Sequence, residues 1–159
     1  MKFNATKKLS DNRPLRTVMI WMLLTLITAM GLNLTAKAID YGTDPAQWEK
    51  SILGNEAEFA DPLSLNELLL RVHTDLFALI LIFILVAALA VRTSHSLRVK
   101  MGFLTITLTG LILYPLSLLM TPWLGSGGVF TAAAAFLVFH GFMIVGALDI
   151  LITLLRGKL

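Results

Sequence analysis

Four apolar runs, at about 17–37, 65–91, 101–121 and 129–155, constrain this chain more than anything else in it. A helix needs about 20 apolar residues to cross the ~30 Å hydrocarbon layer, and each run approaches or exceeds that length. Within hydrocarbon every backbone polar group must be satisfied locally, which leaves helices as the form for such runs. The expectation is an all-α integral membrane protein, a four-helix transmembrane bundle forming one domain over residues 1–159. Composition agrees: 57% of residues are hydrophobic, 14% are charged and the mean hydropathy is +0.80, well outside the range of soluble domains.

The first run follows a basic segment and ends near Ala36 and Ala38, small residues spaced as in a signal-peptide cleavage site. We read it as a retained first span. The sequence pI near 9.5 does not point to nucleic acid, because the basic residues gather at membrane boundaries without interleaved aromatics. The absence of cysteine removes disulfides, thiolate ligation, iron–sulfur clusters and cysteine nucleophiles.

Orientation follows from the cations. Lys2, Lys7, Lys8, Arg13 and Arg16 precede span one, Arg92, Arg98 and Lys100 follow span two, and Arg156 and Lys158 follow span four. That places ten of thirteen on one side, leaving Lys37, Lys50 and Arg71. The positive-inside rule puts both termini in the cytoplasm and the acidic loop 39–63 outside, in a bacterial inner membrane. Within that loop Asp44 and Pro45 form a helix start, predicting a short interfacial helix with Trp48 and Ile52 on one side.

The second span carries most of the polar information. Ser64 and Glu67 form an S-x-x-E capping pattern, so the helix is expected to begin there. Glu67, Arg71 and Asp75 step four apart along one face, as an ion-pair ladder or a docking patch for a partner subunit. His73 points roughly 200° away from Arg71 and Asp75, giving the helix two polar faces. His73 and His140 are the histidines within spans, and imidazoles on facing helices can hold a b-type haem or bind a quinone. At ~1.5 Å per residue their depths differ by ~8 Å, which favours a cofactor shared with a partner over one held between the two. Asp149, nine residues from His140, faces the opposite way and is a further candidate partner contact. Small residues at Ala132 to Ala135, with Gly141 and Gly146, allow close helix approach.

No phosphate loop, nucleophile triad or zinc spacing is present. Two functional readings stand. One is a small integral subunit of a larger membrane complex, respiratory or otherwise electron-transferring, with haem b or quinone near His73 or His140. The other is a cofactor-free accessory or assembly subunit that docks partner helices. Neither is a free-standing enzyme. A proton conduit through His140 ranks behind both.

Overall fold

The computed structural model describes residues 12–93 and 95–156. Lys2, Lys7, Lys8 and Lys158 of the orientation count lie outside the described residues. The helices are α1 (Arg13–Tyr41), α2 (Pro45–Leu53), α3 (Leu65–Ala90), α4 (Leu97–Leu119), α5 (Thr121–Leu124) and α6 (Ser126–Leu155), with a single 3₁₀ turn at Glu56–Glu58. The long ones, α1, α3, α4 and α6, are each apolar enough to span a membrane.

Local chemistry sets their starts. The Asn12 side chain accepts from Leu15 N at 3.3 Å, and Pro14 occupies the first turn of α1. Asp44 caps α2 through Gln47 N at 2.9 Å. At α3 the capping box is complete: Ser64 Oγ accepts from Glu67 N, and Glu67 Oε2 accepts from Ser64 N at 2.8 Å. Between α1 and α2 the chain turns at Gly42, whose φ of +92° suits glycine, and a Cβ there would lie 2.3 Å from the Gln47 side chain. PWLGSGG, which reads as a tight turn, is largely helical: α5 covers Thr121–Leu124, Gly125 turns at φ +57°, and α6 starts at Ser126.

The central helix is α6, which touches every other helix. Lipid tails are as apolar as leucine, so helices here associate through close packing and hydrogen bonds. Gly110 of α4 shows the packing, since a Cβ there would sit 3.1 Å from Ala135 O and 3.2 Å from Phe139 Cβ. Leu23, Met30, Val86, Leu118, Met143 and Leu154 fill the interior. On the outer surface, Thr17, Thr28, Thr35, Thr74 and Thr131 each donate to the carbonyl four residues back, so no hydroxyl among them is left bare toward lipid. Arg16 donates to Leu155 O at 2.8 Å and ties the start of α1 to the end of α6. We call this the terminus end, and the end carrying α2 and α5 the loop end.

Helix α2 lies against the loop end with its apolar side turned inward. Trp48 and Ile52 are buried, and the indole packs on Tyr41 and Phe136 at 4.9 and 5.9 Å between centroids. Its Nε1 donates to Gly42 O at 3.1 Å. The tryptophan thus anchors α2 to the bundle instead of to lipid.

Candidate functional site: a polar cluster inside the loop half

Beneath α2 the bundle encloses charge. Lys37 Nζ of α1 lies 2.7 Å from Asp75 Oδ2 of α3, with side chains only 7% and 8% exposed. Tyr114 Oη of α4 donates to the same carboxylate oxygen. A lone ammonium or carboxylate at this depth would be expensive, so each charge is retained by the other and the phenol supplies a further donor. Three spanning helices meet in one charge-neutral knot.

The knot has an outward and an inward neighbour. Toward the loop end, Arg71 reaches Asp40 at 3.7 Å in a half-exposed pair. The Tyr41 ring lies between, with the Arg71 guanidinium 5.1 Å and Lys37 Nζ 5.2 Å from its centroid. Among the described residues the Tyr41 hydroxyl is the one buried side-chain polar atom without a partner. Deeper in, Asn33 sits one turn before Lys37 and its Oδ1 lies 3.1 Å from His140 Nε2. His140 Nδ1 lies 2.9 Å from Phe136 O. Both neighbours are oxygens, so a neutral imidazole donates its single N–H to one of them at a time. The Phe136 ring stands between, 5.1 Å from Tyr114 and 4.0 Å from His140. His140 is 14 residues into α6, about 21 Å along it and near its middle.

Several expectations change here. The Glu67–Arg71–Asp75 stripe is not an ion-pair ladder. Glu67 closes the helix cap, Arg71 turns to Asp40, and Asp75 points into the bundle. Each prefers a partner that neighbouring backbone or a facing helix already holds in place. Asp149 also has an internal partner, since its Oδ2 lies 2.7 Å from His95 Nε2. His73 faces outward, exposed, while His140 is buried with both ring nitrogens engaged. One iron between His73 and His140 therefore does not fit, because the rings occupy opposite sides of the bundle wall. Among the described residues no three His, Asp or Glu side chains gather as a metal site.

Lys37, Asn33 and Tyr114 escaped the sequence reading. Lys37 ends the first apolar run and Tyr114 lies within the third, so neither stands out in the sequence. Asn33 and Lys37 four apart in an apolar run were the available signal, a polar stripe needing an inward counterpart.

Residues 42–159 match the family model Aq_1264_TM, described as a transmembrane helical domain. The chain belongs to that family. The Aq_1264_TM match starts one residue after α1 ends, so Lys37 and Asn33 lie outside the matched region while Asp75, Tyr114 and His140 lie inside. No curated protein and no solved structure matches the chain. Family membership and four apolar helices make this an integral membrane protein in contact with lipid.

Proposed function

We propose that the chain is a small integral subunit of a larger membrane complex and that it docks through the outward face of α3, with His73 as polar anchor. One observation carries this reading. His73 is exposed, makes no hydrogen bond among the described residues, and is flanked by exposed Leu69, Leu70, Phe77 and Ile80. It lies about 12 Å along α3 from Leu65, where a bare imidazole faces hydrocarbon. The groups first assigned to partner contact, Glu67, Arg71, Asp75 and Asp149, have partners within the chain. His73 has none, so the docking role passes to it. A carboxylate or carbonyl on a partner helix would satisfy its N–H, which is the accessory-subunit reading and the one the geometry supports best.

The electron-transfer reading uses the same nitrogen. A neutral imidazole on an apolar face is a suitable axial ligand for haem b or a hydrogen-bond donor to a quinone, held between this subunit and its partner. The proposed setting is a bacterial inner membrane with both termini cytoplasmic.

Purification from native membranes in mild detergent tests both. Wild type should carry a stoichiometric partner that His73→Leu loses, since leucine suits lipid and leaves insertion intact. A reduced-minus-oxidised haem band that disappears in His73→Leu but survives in His140→Leu would favour the electron-transfer version. A wild-type chain that runs alone, indistinguishable from His73→Leu, would overturn the docking role.

A further inference from the structure

Helices α4 and α6 touch at Gly110 and Phe139 but part toward the terminus end. The gap is a cleft of about 480 Å³, within the usual size of small-molecule sites. Its walls are Phe103, Ile106, Phe142 and Val145. Two glycines shape it. Gly146 leaves room for the Phe103 ring, which a Cβ would approach to 2.5 Å, and Gly102 has nothing within 4 Å of where its Cβ would stand.

Polar groups also line this apolar cleft. His95 and Asp149 do so as a hydrogen-bonded dyad, Nε2 to Oδ2 at 2.7 Å, with side chains 43% and 45% exposed. With Nε2–H donating to the carboxylate, a neutral ring presents Nδ1 as an acceptor, and among the described residues nothing occupies it. Lys100 lines the cleft too, but its Nζ donates to Val91 O at 2.8 Å, at the carbonyl end of α3. An anionic headgroup would meet the Asp149 carboxylate and a lysine already engaged. A neutral hydroxyl would meet an open acceptor.

We infer that this cleft binds a neutral, hydroxyl-bearing membrane amphiphile, its apolar body against Phe103 and Phe142 and its hydroxyl donated to the His95–Asp149 dyad. A quinol or a lipid alcohol such as a diacylglycerol carries that chemistry. The site is remote from the α3 face used for docking and does not depend on it.

The full-length protein in detergent, titrated by native mass spectrometry, provides the test. The probes are decylhydroquinone, its dimethyl ether and dioctanoylglycerol. The hydroquinone or the diacylglycerol should bind one per chain, at least tenfold tighter than the ether. Whichever of the two binds tighter names the source of the hydroxyl. His95→Ala should erase that tenfold preference. Gly102→Leu, which fills open space and favours the helix, should remove binding of every probe. The inference is overturned by an ether that binds as tightly as the hydroquinone and diacylglycerol, by a preference that survives His95→Ala, or by a Gly102→Leu protein that still binds. Circular dichroism of both variants separates lost binding from lost fold.

Discussion

The two halves of the bundle handle charge in opposite ways. In the loop half, Lys37, Asp75 and Tyr114 are enclosed by four helices, and His140 is closed off beside Asn33. In the terminus half the core is aliphatic, with Val86, Met143, Ala147 and Leu154 fully buried, and charge sits at the rim as the half-exposed His95–Asp149 pair. An ion pair sealed from water holds helices together because its members have no other partner. A rim pair can exchange its partner for water or a headgroup, and so stays available to a ligand. The lesson is that burial and not contact length separates the two pairs, since both measure 2.7 Å.

The starkest way to break the comparison is to ask whether the halves face different compartments. The chain has no cysteine, so Glu56→Cys in the loop end and Arg92→Cys in the terminus end each give one reactive thiol. An impermeant maleimide applied to intact cells should label Glu56→Cys and leave Arg92→Cys untouched. Labelling of the second and not the first would invert the orientation.

Next in size is Asp75→Ala, which strands a buried ammonium and a buried phenol. Removing one member of such a pair costs about 3–5 kcal/mol. Equilibrium unfolding in mixed micelles should show a drop of that order, and a loss below about 1 kcal/mol would mean the knot is wetter than its burial implies. Exchanging the pair whole, Lys37→Met with Asp75→Leu, should recover most of the loss, because no uncompensated charge remains. If the double variant is as unstable as Asp75→Ala, the Tyr114 hydroxyl carries the greater share. The smallest effect belongs to the rim: Asp149→Ala should change stability by about 1 kcal/mol or less, as half-exposed pairs do. A loss rivalling that of Asp75→Ala would erase the distinction between the halves.

What the sequence settled by itself was the membrane class, the four spanning helices and the starts of α2 and α3. Run length against bilayer thickness decides the first two, and Asp44 and Ser64 decide the starts through contacts only three residues away. The opposed faces of His73 and Asp75 were also legible, because helical periodicity is a local property. Which side chains meet across helices was not. Asp75 had a tempting neighbour in Arg71 at helical spacing, and only the approach of α1 shows that Lys37, 38 positions away, takes it instead. His95 and Asp149 are separated by 54 residues and joined by the packing of α4 on α6. Periodicity assigns a residue to a face. The choice of partner depends on helix order, rotation and depth, which arise when all the faces are packed at once.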